Sequence, residues 1–381
     1  MEYLVMLTGQ FFGHAYLPGV RARYVILNLD ADNPGVGRLM VWGSTDQMPP
    51  YALEVVVASG GHAGGWTVRG QSAFQLNAQL GYVPEPLPGV EKGTELVAEL
   101  VEIEPGQMTG TWRLSVGTKT LEVGSTDLRT LASWPALVAV NRVRKWAKFR
   151  EWADGFRRVN QGYIFRGQMD SGWTLRTSLH RMGRCDLWRY RYGVFQQFIE
   201  QFGVATSLDV TPDTPGGLSR LLAFAQHHGL PTPMLDWSSS PYVAAFFAFS
   251  DWLTAPENKR PKRVRVYALH TAAMLDITRP THLSALEPAV ALIGASARDN
   301  RRMYAQQGHL MLSNVVDLEQ WLVSEGGTRK TEILTAIDID GQVAEEALRD
   351  LRFMGLTAAM LFPDLDGACR GLKHQMLLRD F

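Results

Sequence analysis

An arginine at the end of an apolar run is the first residue to which the sequence gives a chemical role. The run Tyr163-Ile164-Phe165-Arg166-Gly167-Gln168 predicts a strand that ends in a glycine turn. The strand fixes the backbone of Arg166, the glycine lets a ligand approach, and the guanidinium matches phosphate or carboxylate groups. Arg166 is therefore a candidate anion-binding residue. An internal ion pair with Asp236 explains the same arginine equally well.

Two adjacent histidines, His227 and His228, close a predicted helix, and Gly229 suits its C-terminal cap. Neighbouring side chains on a helix point about 100° apart, so the pair cannot readily share one metal ion. We therefore predict no metal site. A single histidine that faces a cleft as an acid–base group is the simpler interpretation, and the sequence leaves open which of the two it is.

A short predicted strand carries the next polar group. Asp236 and Trp237 end this strand, and three serines then lead into a predicted helix. Asp236 is a candidate catalytic carboxylate. Ser239 or Ser240 also suits the N-cap position of the helix, which is the plainer interpretation of any single serine.

Two further polar segments precede or follow apolar runs. Gln306 and Gln307 lead through a glycine into a predicted strand, and Gln307 is a candidate site residue. Both glutamines could instead satisfy backbone groups at a helix-to-strand turn. The pair Asp366-Gly367 near the C-terminus is interpreted as a turn and a helix cap, because the rest of a calcium-binding loop is missing.

The elements that must position these residues fall into two parts. Residues 1–130 contain short apolar runs separated by Gly, Pro and Asp, which predicts a β-sandwich or barrel-like domain. We predict strands at residues 24–29, 39–42, 52–57, 96–103 and 111–116. No acid–base pair of convincing spacing occurs there, so this domain is expected to be an accessory or regulatory one.

Residues 131–156 are predicted to form a basic amphipathic linker helix. Apolar residues from Val138 to Trp152 approximate a 3.6-residue period, and arginines and lysines fill the other face. A solvated basic face is the favoured interpretation, and contact with nucleic acid is the alternative.

Residues 157–381 alternate predicted helices and short strands, so the fold class is α+β. Strands are expected at residues 163–166, 264–269, 309–312 and 358–362. Helices are expected at residues 187–202, 218–228, 241–252 and 343–352.

Composition limits the classes of function. Positive and negative residues balance at 38 each, so no global charge favours nucleic acid or membrane. Two distant cysteines indicate neither a disulfide framework nor a zinc cage. The N-terminal residues lack the basic start of a signal peptide, and no apolar run is long enough to span a membrane. A cytoplasmic protein with no membrane partner is expected.

Taken together, four motifs resemble the FRG domain family. They are Phe165-Arg166-Gly167-Gln168 with a downstream Trp173, the stretch from Gln226 to Ala248, Gln306-Gln307-Gly308, and Phe362 to Gly367. The resemblance covers roughly residues 155–381, in the family's order. Pro233 stands where the family usually has arginine, which removes a cation, and Ser238 replaces a threonine.

A second resemblance is to ADP-ribosyltransferases, which place an arginine on a first core strand and serines on the next. It implies an ADP-ribosyltransferase-like C-terminal domain with NAD as substrate. In that fold a late-strand glutamate commonly binds a ribose hydroxyl, whereas Gln307 stands at the comparable place here. The residues implied to bind NAD are Arg166, Gln168, Trp237, Ser238 and Ser239, with Trp237 stacking on nicotinamide.

The resemblances together imply an intracellular effector, of toxin or phage-defence type, that ADP-ribosylates a protein or nucleic acid. Because glutamine cannot act as a general base at neutral pH, His227 or His228 would accept the proton. A regulator or antitoxin is a further expected partner. Two alternatives stay open: a non-catalytic nucleotide sensor that signals through the β domain, and a nucleic-acid binder or nuclease.

Overall fold

The computed structural model describes most of the chain, namely residues 7–19, 22–43, 50–60, 64–76, 82–83, 93–133, 138–158, 162–206, 210–211, 214–275, 277–278, 283, 287–293 and 301–378.

The N-terminal part is a closed antiparallel barrel of eight strands, joined by one short extra strand. Its strands are β1 (Gly9–Tyr16), β2 (Arg23–Leu29), β3 (Val36–Trp42), β4 (Tyr51–Ser59), β5 (Gly65–Leu76), β6 (Tyr82–Val83), β7 (Thr94–Glu104), β8 (Gln107–Val116) and β9 (Lys119–Arg129). The sheet closes because β4 pairs with both β3 and β5, while β6 pairs only with the end of β5.

The barrel interior explains why these runs form strands. Alternate residues point inward and supply a buried core that includes Leu27, Leu53, Val55 and Leu100. Closure removes the unpaired edges that an open sheet would expose. The predicted β-rich domain is therefore confirmed as a barrel, and each of its five predicted strands is present.

The C-terminal part is a seven-stranded mixed sheet with helices on both faces. Its strands are β10 (Ala139–Val143), β11 (Tyr163–Gln168), β12 (Met234–Ser238), β13 (Arg263–His270), β14 (Val290–Ile293), β15 (Gly308–Ser313) and β16 (Leu334–Asp340). They lie in the order β10-β16-β13-β11-β12-β15-β14. Only the β10–β16 pairing is parallel. The predicted α+β class is confirmed.

Twelve helices are described in this part. They are α1 (Trp146–Arg158), α2 (Ser178–Arg181), α3 (Leu187–Tyr192), α4 (Val194–Ala205), α5 (Pro215–His227), α6 (Pro241–Thr254), α7 (Thr271–Met274), α8 (Arg301–Ala305), α9 (Leu318–Arg329), α10 (Ala344–Phe353), α11 (Ala358–Leu361) and α12 (Leu365–Leu378). One face of the sheet packs on a core built mainly from α1, α6 and α10, and the other packs on α9.

The predicted linker helix is partly wrong. Residues 134–137 lie outside the described residues, and residues 139–143 form strand β10 instead of helix. β-Branched Val140 and Val143 suit a strand, and pairing with β16 satisfies the backbone. The helix begins only at Trp146, which is buried against the sheet, so α1 belongs to the C-terminal part.

The basic face of α1 is partly neutralised. Lys148 Nζ lies 2.7 Å from Glu151 Oε2, and Arg150 Nη1 lies 3.5 Å from Asp350 Oδ2. These pairs leave less unbalanced charge for a phosphate backbone than the sequence indicates.

Three other predicted details differ from the structure. Residues 358–361 form helix α11 and not a strand, because Thr357 caps them by accepting a hydrogen bond from Met360 N. The predicted helix 187–202 is divided into α3 and α4 at Gly193. Asp364, and not Asp366, accepts the capping hydrogen bond from Gly367 N at the start of α12.

The barrel is attached to the C-terminal part by buried polar contacts. Gln10 donates to the main-chain oxygen of Asn314 at 2.8 Å and accepts from Val316 N at 2.9 Å. Asp30, whose side chain is buried, accepts from the backbone N–H groups of Cys185 and Asp186. Asn314 and Val316 follow strand β15, and Cys185 and Asp186 precede helix α3.

In the described part of the chain, every helix is too short or too polar to cross a lipid bilayer.

Candidate functional site

A cavity of about 300 Å³ opens where β11 and β12 separate. These neighbouring strands are paired only at Phe165 and Ser238, so the sheet divides at Arg166. The charged and titratable side chains in the lining are Arg166, His227, Asp236, Asp251 and Arg302. The apolar part of the lining includes Phe165, Phe247, Met303, Leu310 and Phe362.

Gly167 allows this part of the sheet to approach helix α6 closely. A Cβ atom at Gly167 would lie 1.9 Å from the main-chain oxygen of Ala244, far inside contact distance. The glycine of the Phe-Arg-Gly triplet is therefore required for packing. Its place next to Arg166 also means that α6 directly supports the wall of the cavity.

Arg166 presents an incompletely satisfied guanidinium to the cavity. Its Nη1 donates to the main-chain oxygen of Asp236 at 2.7 Å, whereas its Nε is buried and has no hydrogen-bond partner. Burial lowers the pKa of Arg166 and nearby Asp236 opposes this, but arginine stays charged in proteins. A guanidinium in a largely buried place is costly without a counter-charge, so the Arg166 cation favours an anion in the cavity.

The carboxylate of Asp236 also faces the cavity. Gln226 Nε2 donates to its Oδ1 at 2.6 Å, and Thr232 donates in turn to Gln226 Oε1. Burial raises the pKa of Asp236, and the opposing influence of Arg166 is smaller. The structure does not contain the simple internal ion pair that the sequence left as an alternative. Arg166 donates to the main-chain oxygen of Asp236, whereas the carboxylate of Asp236 accepts from Gln226.

Asp251 adds a second carboxylate from helix α6. Burial raises its pKa, while Arg370 and Arg166 act in the opposite direction. The cavity therefore combines a cation with two carboxyl groups whose pKa values are raised by their surroundings. Titratable groups with shifted pKa values in a cleft are typical of functional sites.

The mouth of the cavity is built around Phe362. The guanidinium carbons of Arg302 and Arg370 lie 5.4 and 4.7 Å from the centre of its ring. Arg302 Nε also donates to Asp364 Oδ2 at 2.9 Å. The Phe362 to Gly367 motif thus supplies both an aromatic wall and a carboxylate that fixes Arg302.

Of the two histidines, only His227 lines the cavity. Burial lowers its pKa, and the charges of Arg302 and His228 lower it further. A lowered pKa favours the neutral imidazole, which is the form that can accept a proton. The structure therefore places His227, and not His228, beside the cavity, and its acid–base role stays a prediction.

The serines have different roles. Ser238 lines the cavity, and its hydroxyl donates to the main-chain oxygen of Gln306 at 2.7 Å. Ser239 lies outside the lining and pairs with His309, with 2.7 Å between Oγ and Nε2. Ser240 is the N-cap of α6, which confirms that interpretation of the serine cluster.

Of three further candidate residues, Trp237 is in the lining, whereas Gln168 and Gln307 are not. Trp237 is 3% exposed and belongs to the core cluster that also contains Ile164 and Leu235. This burial disfavours stacking on a ligand, and the stacking role stays a prediction. Gln168 is buried and donates to the main-chain oxygen of Trp173 at 3.2 Å, so it holds the following turn.

Gln307 is the third of these candidate residues. Its φ angle is +48°, and its main-chain oxygen accepts from Ser239 N at 2.9 Å, but it is not in the lining. Gln306 lines the cavity instead and donates to the main-chain oxygen of Leu361 at 3.0 Å. The predicted amide is therefore present, one residue earlier.

Several lining residues were not singled out from the sequence. Gln226, Phe247, Asp251, Arg302 and Phe362 belong to this group. A signal existed for two of them, because Ala244, Phe247 and Asp251 are spaced three and four apart on one helix face. Since the barrel contributes none of the described lining residues, the site belongs to the C-terminal part alone.

Within the described residues, no three His, Cys, Asp or Glu side chains lie close enough to hold a metal ion. The prediction of no metal stays a prediction.

Comparison with known proteins identifies one family. Residues 161–256 match the model of the FRG domain. This segment contains β11, β12 and α6, and it confirms the FRG resemblance for that part of the chain. No curated protein and no solved structure matches. The resemblance of the remaining two motifs stays a prediction.

Proposed function

We propose that the cavity of the FRG domain binds the ribose and phosphate part of NAD or a related nucleotide. We further propose that the protein transfers ADP-ribose from NAD to a protein or nucleic acid, as an ADP-ribosyltransferase-like enzyme. The observation that carries the proposal is that Arg166 and the carboxylate of Asp236 line one cavity without forming an ion pair with each other. A nucleotide supplies a phosphate anion that can pair with Arg166 and ribose hydroxyl groups that can donate to Asp236.

The order of the strands supports this proposal. The ADP-ribosyltransferase resemblance needs an arginine strand, a serine strand and a late strand close together. Here β11, β12 and β15 are consecutive in the sheet. They bring Arg166, Ser238 and the Gln306 segment to the same cavity, although these residues are distant in sequence.

The chemistry of transfer assigns a task to each polar group. The C1′–N bond to nicotinamide breaks, and its electron pair leaves with nicotinamide. The positive charge that develops on the ribose is stabilised by a carboxylate, for which Asp236 is the residue present. An oxygen or nitrogen of the acceptor bonds to C1′, and its proton passes to neutral His227.

The size of the cavity limits what it encloses. A volume of about 300 Å³ lies at the lower end of the range for small-molecule sites. It suits the reacting part of a dinucleotide better than the whole molecule. The adenine end would extend past the mouth formed by Phe362, Arg302 and Arg370.

The barrel fits a role in target selection better than one in blocking the site. It contacts the C-terminal part near Asn314 and Val316, which follow the end of β15. The cavity lies at the other end of that strand, near Gln306. A barrel held there leaves the mouth open to a protein or nucleic-acid acceptor. An intracellular effector of toxin or phage-defence type, with a regulator or antitoxin as partner, is consistent with this arrangement.

One observation favours a second candidate function, a nucleotide sensor without catalysis. No glutamate is present among the described lining residues, and the side chain of Gln307 does not reach the cavity. The remaining carboxylates have pKa values raised by burial, so they are weaker stabilisers of positive charge at low pH. A site of this kind could bind a nucleotide and report it through the barrel.

Nicotinamide release tests the two functions. The full chain is incubated with labelled NAD and with candidate protein or nucleic-acid acceptors, and free nicotinamide is measured. We expect release by the wild type, none by Arg166→Ala, and normal release by Arg144→Ala, which alters an exposed arginine outside the cavity. Binding of NAD without release supports the sensor. If the protein neither binds NAD nor releases nicotinamide, both functions are contradicted.

A further inference from the structure

Helix α12 carries an exposed apolar stripe on the face that points away from the rest of the domain. The stripe consists of Leu365, Cys369, Leu372 and Met376. Its leucines and methionine are 79%, 60% and 63% exposed, and its cysteine is a free, exposed thiol. The spacing of four, three and four residues is that of the a and d positions of a coiled coil, with the leucines at d. We call these four side chains the α12 stripe.

The opposite face of α12 is fixed against its own domain. His374 is buried, and its Nε2 lies 3.0 Å from Ser250 Oγ of α6. A Cβ atom at Gly367 would lie 1.9 Å from the main-chain oxygen of Phe362, so the helix approaches that backbone closely. Leu378 belongs to the core that also contains residues of α1 and α6. The helix therefore cannot rotate to bury the α12 stripe without losing these contacts.

Two charges flank the α12 stripe on one side. Asp366 and Lys373 each directly follow a leucine of the stripe, so both occupy the e position of the heptad, and both are exposed. Residues at the e and g positions determine the partner and the orientation of a coiled coil. The g positions, on the other side of the stripe, hold the uncharged residues Ala368 and Gln375.

A second copy of the same helix fits this stripe in the antiparallel orientation. When Cys369 of each copy packs against Leu372 of the other, the two-fold axis also places Leu365 against Met376. All four side chains of each stripe are then covered. An interface of this kind is self-complementary, as the symmetry of a dimer requires.

The flanking charges favour the antiparallel orientation over the parallel one. In the antiparallel pair Asp366 of each copy faces Lys373 of the other, which gives two contacts between opposite charges. In a parallel pair Lys373 faces Ala368 across the seam, and this complementarity is lost. A partner of a single charge is also disfavoured, because it would repel either the carboxylate or the ammonium group.

We propose that two copies of the protein associate through antiparallel packing of their α12 stripes. The interface adjoins the FRG cavity, because Phe362 and Asp364 at its mouth directly precede α12, and Arg370 of α12 packs on Phe362. Association therefore holds the helix that supports the mouth in each copy. The inference does not depend on the proposed transfer reaction.

Sedimentation velocity of the full chain measures this association, under reducing conditions so that Cys369 cannot cross-link. Two 14-residue helices bury less surface than a standard interface, so we expect a reversible dimer with a Kd on the order of 10–100 μM. Leu372→Glu places two charges in the centre of the seam and should weaken association at least roughly 30-fold. Val204→Glu is the matched control. It changes an aliphatic residue of α4 that is 91% exposed and lies outside the stripe, and it should leave association unchanged.

Reversed charges test the antiparallel arrangement. Asp366→Lys and Lys373→Glu each replace two attractive contacts of the dimer by two repulsive ones, and each should weaken association roughly five- to thirty-fold. An equimolar mixture of the two variants restores both contacts between opposite charges. We therefore expect heterodimers whose affinity is close to that of the wild type.

The proposal is overturned if the wild type remains a monomer at several hundred micromolar, or if Leu372→Glu and Val204→Glu have equal effects. It is also overturned if the mixture of charge variants associates no better than each variant alone. Binding of a monomeric wild type to phosphatidylcholine and phosphatidylglycerol vesicles, abolished by Leu372→Glu, would contradict it as well, because the stripe would then be a membrane-binding face.

Discussion

Arg166 hydrogen-bonds the main-chain oxygen of Asp236, at 2.7 Å, and not its carboxylate. Both side chains therefore remain available in the same cavity, with the guanidinium Nε unpartnered and the carboxylate held by Gln226. An ion pair between them would have neutralised the site. The hydrogen bond to the main-chain oxygen positions Arg166, and its positive charge stays available to an anionic ligand.

The glycine of the Phe-Arg-Gly triplet should tolerate no side chain. Gly167→Ala places a methyl group against the backbone of α6 and should lower the free energy of unfolding by about 1–3 kcal/mol or more. Gly155→Ala is the matched control. Its Cβ meets nothing within 4 Å in helix α1, so the substitution should stabilise the protein by about 0.5–1 kcal/mol. Denaturant unfolding measures both, and equal effects would contradict the packing role of Gly167.

The carboxyl group of Asp236 should stabilise the fold less at neutral pH than at acid pH. Burial raises its pKa in the folded protein, so the folded state binds this proton more tightly than the unfolded state. Its contribution to stability is therefore greatest at acid pH and declines as pH rises from the unfolded pKa through the folded pKa. Asp236→Asn should raise the melting temperature at pH 7, and the gain should shrink towards pH 4.

Thermal unfolding across this pH range checks the prediction, with exposed Glu346→Gln as a control that should change little. A lower melting temperature for Asp236→Asn at pH 7, relative to wild type, would show that the ionised carboxylate stabilises the fold.

The pKa of His227 should respond to Arg302. Burial lowers it first, the Arg302 charge lowers it further, and Asp364 partly offsets this. Arg302→Ala removes the repulsion and releases Asp364 from its ion pair, so both changes raise the pKa of His227. NMR titration of the imidazole measures this shift. Arg301→Ala changes the adjacent exposed arginine and should have a smaller effect. Equal shifts of the His227 pKa in the two variants would contradict a specific influence of Arg302 on His227.

The pattern of residues was sufficient to predict the elements that build the site. Strand β11 was recognised from an apolar run before a glycine, and α6 from its serine cap and apolar face. These are local signals, and tertiary packing agrees with them. Residues 139–143 show the limit, because helical spacing and β-branched residues gave opposite signals. Pairing with β16, which is distant in the sequence, stabilises a strand here instead of a helix.

Which of two neighbours faces the cavity was harder to predict. Strand alternation could have separated Asp236 and Ser238 from Trp237, since successive side chains point to opposite faces. Gln306 and Gln307 could not be separated in this way. A left-handed backbone at Gln307 follows from its place between α8 and β15, and no local pattern predicts that conformation. Arg302 and Phe362 reach the cavity only through long-range folding.

The affinity of the full chain for ADP-ribose tests the central claim most directly, because it needs no acceptor and no turnover. Calorimetry should show binding to the wild type and a loss of about 1.5–3 kcal/mol in Arg166→Ala, roughly 10- to 150-fold in Kd. Arg166→Lys should fall between them, since it keeps the charge but loses the planar fork. Absence of binding to the wild type, or equal affinity of Arg166→Ala, would contradict an anion-binding role for Arg166.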